Sequence, residues 1–105
     1  MPLKTINAST LKQWLDAEEA LLIDVREPDE YQVARIPGAL LKPLSTFSTI
    51  ELPDAKDKKL VLHCKAGIRS HKAGELLLAK NPHLELFSLE GGIISWASQG
   101  NPIEN

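Results

Sequence analysis

The stretch Leu60-Val61-Leu62-His63-Cys64-Lys65-Ala66-Gly67-Ile68-Arg69-Ser70-His71 decides the fold. Its three leading apolar residues read as a strand buried on both faces. Beyond the cysteine, Ala73, Leu76, Leu77 and Lys80 recur at helical spacing until Asn81-Pro82 stops the pattern. The unit is therefore strand, tight loop, helix start. Such a loop aims several backbone N–H groups at one point, and the helix N-terminus adds partial positive charge. Lys65 and Arg69 add two full charges, and Gly67 between them permits positive φ and a close approach by a ligand. A lone cysteine read without its neighbours is a small buried hydrophobe. With these neighbours it reads as a reactive thiol of depressed pKa. A free thiol of pKa about 8.5 is roughly 3% thiolate at pH 7, and lowering it by about two units makes roughly three quarters thiolate. That takes about 2.7 kcal/mol of differential interaction, within reach of a helix terminus and two cations.

Outward from this unit, strands and helices alternate. Lys4-Thr5-Ile6 is a short strand. Residues 10–18 form an amphipathic helix with Leu11, Trp14 and Leu15 on the core stripe; Ser9 or Thr10 offers its N-cap, and Thr10 with Gln13 fits a capping box. Residues 21–25 are a continuous apolar run broken only by Asp24. Pro28 suits the first turn of a short helix, and Ile36-Pro37-Gly38-Ala39 is a turn leading to the apolar run 39–41. Residues 45–52 read as a short helix capped by Ser45, and 54–59 as a charged, solvated loop. Residues 84–89 alternate as a strand, Gly91-Gly92 turns the chain, and Ile93, Ile94 and Trp96-Ala97 begin a last helix that stops near Gly100. This alternation predicts an α/β fold with a mostly parallel sheet. Ligands of such sheets sit outside the carboxyl ends of the strands, so Asp24 and Cys64 are expected at one crevice.

The 105 residues are expected to form one domain over 1–105, with 43% hydrophobic and 25% charged residues. A net charge of −2 gives no overall attraction for nucleic acid or an anionic membrane. The one cysteine excludes an intramolecular disulfide. No signal peptide is visible at the N-terminus, and a free reactive thiol needs reducing surroundings, so the expected location is cytoplasmic. His63, His71 and His83 have no metal-ligand spacing with Cys64, and neither a metal nor a cofactor is expected. His63 is expected against the sheet, His71 on the surface, and Trp96 in the core. A carboxylate beside the sulfur would oppose the thiolate. Asp24 is therefore read as support for the site, through strand-end backbone groups or by pairing with Arg26 or Arg35. Ser70 is read as the cap of the following helix, with a hydrogen bond to the sulfur as the other possibility.

Cys64-Lys65-Ala66-Gly67-Ile68-Arg69-Ser70 resembles the active-site loop of the rhodanese (thiosulfate sulfurtransferase) domains. Leu22-Ile23-Asp24-Val25-Arg26-Glu27 is similar to the family's first strand-end motif. Tyr31 with Ile36-Pro37-Gly38-Ala39 is similar to its second, and Leu89-Glu90-Gly91-Gly92-Ile93 with Trp96 to its closing motif. The resemblance implies a rhodanese-like fold, a central mostly parallel five-stranded sheet with helices on both faces. It also implies ping-pong transfer of a sulfane sulfur. Cys64 would be the nucleophile and persulfide carrier, and Lys65 and Arg69 would neutralise the thiosulfate anion. The backbone of Ala66, Gly67, Ile68, Arg69 and Ser70 would cradle the outer sulfur, with Asp24 and Arg26 supporting the site. The implied partners are a small anionic sulfur donor (thiosulfate, a persulfide or a polysulfide) and a thiophilic acceptor. The acceptor is cyanide in an assay, and a cellular thiol or a thioredoxin-like or sulfur-carrier protein otherwise. One departure stands out: Ala34-Arg35 replaces the family's usual Gly-His.

Rival readings exist. Cysteine-dependent phosphatases and arsenate reductases with a phosphatase-like loop have five residues between cysteine and arginine, and this chain has four. The tighter loop suits one sulfur better than a tetrahedral phosphoryl group. Mercaptopyruvate sulfurtransferases lack the cation after the cysteine. A non-catalytic docking or regulatory module of the same fold often lacks the cysteine itself.

Overall fold

A computed structural model describes residues 3–49 and 57–105 of the chain. The elements follow in the order β1 (Leu3–Ile6), α1 (Ala8–Asp16), β2 (Ala20–Asp24), α2 (Pro28–Val33), β3 (Leu40–Leu41), a kinked 3-10 segment (Leu44–Thr49), β4 (Lys59–His63), α3 (Ile68–Lys80), β5 (Leu86–Leu89) and α4 (Gly92–Ser98). The five strands form one parallel sheet in the order β1-β5-β4-β2-β3.

Successive side chains of a strand point to opposite faces, and here both faces are covered. Leu22, Val61, Phe87 and Leu89 pack with Leu11 of α1 and Ile93 and Trp96 of α4. Ile23, Leu60, Leu62 and Leu86 pack with Ala73, Leu77 and Leu78 of α3. The helices therefore flank the sheet on both sides, as the resemblance implied. No helix among the described residues is long and apolar enough to cross a membrane.

Several local expectations change. The cap of α1 is Asn7, whose Oδ1 accepts the Thr10 N–H at 2.8 Å. Ala8 is already helical, so Thr10 lies inside the first turn and cannot cap it. Trp14 does join the core side, edge-on to Phe87 with ring centroids 5.0 Å apart. Ser45 lies within the 3-10 segment, and its hydroxyl donates to Glu27 Oε1 at 2.7 Å. The expected end of that helix, and most of the expected solvated loop, lie outside the described residues. The buried face of α3 is Ser70, Ala73, Gly74, Leu77 and Leu78. Leu76 lies about 130° around the helix from the centre of that arc and is exposed. All four residues of β5 are buried, because helices cover both of its faces; the alternation seen in the sequence does not mark a solvated side.

The topology places the site. Strand β4 continues into α3 on one face of the sheet, whereas Tyr31 of α2, which follows β2, packs on the other. The connections leaving these adjacent parallel strands thus diverge, opening a crevice at their carboxyl ends. Cys64 follows β4 there, and Asp24 ends β2 opposite His63.

Candidate active site

Cys64 lies at the floor of the loop, with only 1% of its surface exposed. Its Sγ accepts the Gly67 N–H at 3.1 Å and the Ser70 N–H at 3.4 Å, and lies 3.6 Å from Ser70 Oγ. Burial pushes the thiol's pKa up. The Ser70 N–H, the Ser70 hydroxyl and the N–H groups of Gly67 and Ala66 outweigh it, and the pKa is lowered. The lowering comes from these oriented dipoles, where the sequence pointed first to a helix terminus and the two cations.

The cradle depends on two glycines. Gly67, at φ +99°, is the N-cap of α3, and a Cβ there would lie 3.2 Å from the Gly91 nitrogen. Ser70 therefore does not cap the helix. Its hydroxyl instead reaches back to the Gly67 carbonyl at 3.2 Å and shares a 2.7 Å hydrogen bond with Ser88 of β5. Gly92, at φ +57°, lets α4 press against the loop: a Cβ there would lie 2.4 Å from the carbonyl oxygens of both Cys64 and Lys65. The Ile93 N–H then donates to the Cys64 carbonyl at 2.9 Å, and the Ile94 N–H to the Lys65 carbonyl at 3.2 Å. With those carbonyls turned toward α4, the following amides are free to face the sulfur. The first-turn N–H groups of Ile68 and Arg69 have no intrahelical partner, as at any helix start.

Asp24 and Arg26 form a buried pair. The Arg26 Nε donates to both Asp24 carboxylate oxygens at 3.0 and 3.1 Å, and its Nη2 donates to Oδ2 at 2.8 Å. That same Nη2 also donates to the Ala34 carbonyl at 2.7 Å. The buried carboxylate is thereby neutralised and ties β2 to the end of α2. His63 is fully buried beside it, with Nε2 3.5 Å from Asp24 Oδ2 and Nδ1 3.3 Å from the Cys64 carbonyl. Burial lowers its pKa despite the attraction of Asp24, and this lowering favours the neutral imidazole. His71 is exposed, 3.8 Å from Glu75. Arg35 stacks 5.1 Å over the Tyr31 ring, and its Nε lies 3.5 Å from Glu104 Oε1, so the arginine that departs from Gly-His reaches the C-terminal segment.

The two loop cations differ. Lys65 is exposed and forms no ion pair among the described residues. Arg69 is clasped by Glu30 of α2, its two terminal nitrogens donating to the two carboxylate oxygens at 2.7 and 2.9 Å. Glu30 also accepts the Glu27 N–H at 3.0 Å in a capping box. Beside the loop runs a groove of about 490 Å³, walled by Glu30 and Val33 of α2, Ile94 and Ala97 of α4, and by Lys65 and Ile103. Glu30, Ser88, Gly92, Ile93 and Ile94 are among the residues that the sequence reading did not place at the site. Gly92 left a trace there as half of the Gly91-Gly92 turn, and Glu30 as the residue three after Glu27 at a Pro28 helix start.

A rhodanese-like domain matches residues 7–99. The chain belongs to the rhodanese-like domain family. Within the family it is 36% identical over 99 residues to a sulfurtransferase of Allochromatium vinosum, covering 93% of this chain and 92% of that one. It is 40% identical over 103 residues to a probable adenylyltransferase/sulfurtransferase, MoeZ, of Mycobacterium tuberculosis, covering 93% of this chain but 26% of that protein. A solved thiosulfate sulfurtransferase of Pseudomonas aeruginosa superposes with a TM-score of 0.80 at 26% identity, over 98% of this chain and 20% of that one. This rhodanese-like chain is accordingly a member of a sulfurtransferase family, and neither the phosphatase nor the docking-module reading is favoured.

Proposed function

We propose that the protein is a thiosulfate sulfurtransferase working through a Cys64 persulfide. The observation that carries this reading is the position of Sγ, held by the Gly67 and Ser70 amides beneath the start of α3. In the first half-reaction the thiolate attacks the outer sulfur of thiosulfate. The Cys64–sulfur bond forms as the sulfur–sulfur bond breaks, and sulfite leaves as the dianion, so charge balances. The amides of the loop then stabilise the terminal persulfide sulfur, and Lys65 attracts the anionic donor. In the second half-reaction an acceptor thiolate takes that terminal sulfur and restores the Cys64 thiolate. No general base is invoked, because the amide and hydroxyl hydrogen bonds lower the thiol's pKa and so raise its ionised fraction. Asp24 acts by fixing Arg26 and bordering His63, without touching the sulfur. The groove is far larger than thiosulfate, which supports a cellular thiol or a thioredoxin-like or sulfur-carrier protein as acceptor. A reducing, cytoplasmic setting keeps the single cysteine available.

Intact mass measured after incubation with thiosulfate and removal of the donor tests this reading. A gain of one sulfur, released to cyanide as thiocyanate and absent in Cys64→Ser, is expected. No gain from thiosulfate or from any persulfide or polysulfide donor would sink it.

A further inference from the structure

Three cations border the mouth of the loop, and two are already engaged. Arg26 is spent on the buried Asp24. Arg69 meets Glu30 through two hydrogen bonds on a side chain still 34% exposed, so its charge is compensated before any donor arrives. Lys65 alone of the three has no ionic partner among the described residues. Asp29 adds a further carboxylate to the groove wall shared with Glu30. A doubly charged donor would therefore meet less positive charge than the sequence of the loop suggests.

We propose that Glu30 tunes the donor charge preference of Cys64: by holding Arg69 it lessens the advantage of the thiosulfate dianion over donors of lower charge, such as organic persulfides R–S–SH. The proposal rests on the sulfurtransferase reading for its donors and deepens it. With a persulfide donor the Cys64 thiolate forms a bond to the terminal sulfur. The R–S to sulfur bond breaks, the terminal S–H proton stays on the transferred sulfur, and R–S⁻ departs, so atoms and charge balance. Glu30 touches neither donor nor sulfur; it is a specificity-determining residue acting through Arg69.

The test uses the fact that the chain has a single cysteine. Alkylation rates with iodoacetate, an anion, and iodoacetamide, its neutral counterpart, report the charge at the mouth, and their ratio cancels the thiolate fraction. Glu30→Gln retains an oxygen for the capping box and for one Arg69 hydrogen bond, and removes the charge together with the second Arg69 hydrogen bond. Taking a separation on the order of 10 Å and an effective dielectric of about 40, one charge changes the ratio by about fourfold per unit of reagent charge. The expected result is a roughly fourfold rise in the iodoacetate/iodoacetamide ratio in Glu30→Gln, with Glu30→Asp near wild type and the rise diminished by salt. Sulfur uptake from thiosulfate relative to an alkyl persulfide should rise about fifteenfold, since the dianion feels the change twice. An unchanged iodoacetate/iodoacetamide ratio in Glu30→Gln, or an equal rise in Glu30→Asp, would overturn the proposal. Failure of the wild type to take sulfur from either donor would count against the sulfurtransferase reading, while the alkylation ratio still decides the role of Glu30.

Discussion

Replacing Glu30 by Gln should remove stability that exists only while Glu30 is ionised. Arg69, and secondarily the Glu27 N–H, hold the Glu30 carboxyl at about 2 against an ordinary 4.5, despite partial burial. Taken whole, that displacement of roughly 2.5 units equals about 3.4 kcal/mol. The side chains of Arg69 and Glu30 are 34% and 29% exposed, so solvent screens the pair. A contribution of about 1–2 kcal/mol is the better expectation. Because the folded pKa is depressed, the contribution is complete above pH 4.5 and is lost as the pH falls toward 2. Urea unfolding of wild type and Glu30→Gln in parallel across pH 7 to 2 isolates this group, since other carboxylates titrate in both proteins. The gap in unfolding free energy should stay level down to about pH 4.5 and close between there and pH 2, with the m-value unchanged. A gap of constant size over the whole range would refute the reasoning, because the ion pair would then contribute nothing that depends on the charge of Glu30.

Ser70→Ala should move the pH profile of iodoacetamide alkylation to higher pH. A hydrogen bond to a charged sulfur contributes about 1.5 kcal/mol, or about tenfold in the thiol's acid dissociation constant, and an unmoved profile would remove Ser70 from thiol activation. Gly92→Ala should destabilise the fold by about 2–4 kcal/mol in thermal or urea unfolding, because a Cβ collides with two loop carbonyls at positive φ. Asp24→Asn strands the buried Arg26 charge and should cost about 3–5 kcal/mol, most of it recovered in Asp24→Asn/Arg26→Met if the unpaired cation is the cause.

Short-range signals carried most of the reading. The apolar run before Cys64, the turn at Pro37-Gly38 and the glycine pair at 91–92 each act within a few residues, so the strand, turn and helix they mark appear where expected. Misassigned details arose where several residues compete for one local role. Asn7, Ser9 and Thr10 are all good caps, and the helix start one residue after Asn7 chose among them. Ser70 has the right chemistry for a cap, but Gly67 takes that position and leaves the Ser70 hydroxyl to Cys64, Gly67 and Ser88. Leu76 fits a helical apolar period, yet the arc that packs on the sheet is set by Gly74 and Leu78 on its other side.

The sequence by itself determined the α/β alternation, the parallel sheet and the placing of Cys64 at a strand end, because hydrophobic period and turn chemistry are local properties. It also determined that cations and a glycine surround the thiol. Tertiary structure alone decided which charges are free. Arg69 meets Glu30 across 39 positions, Ser70 meets Ser88 across 18, and the Cys64 and Lys65 carbonyls are held by a helix that begins at Gly92. Such contacts depend on which elements the sheet order brings side by side, and no local pattern encodes that order. The electrostatics of the loop therefore follow from its neighbours in space, while its backbone shape follows from its neighbours in the chain.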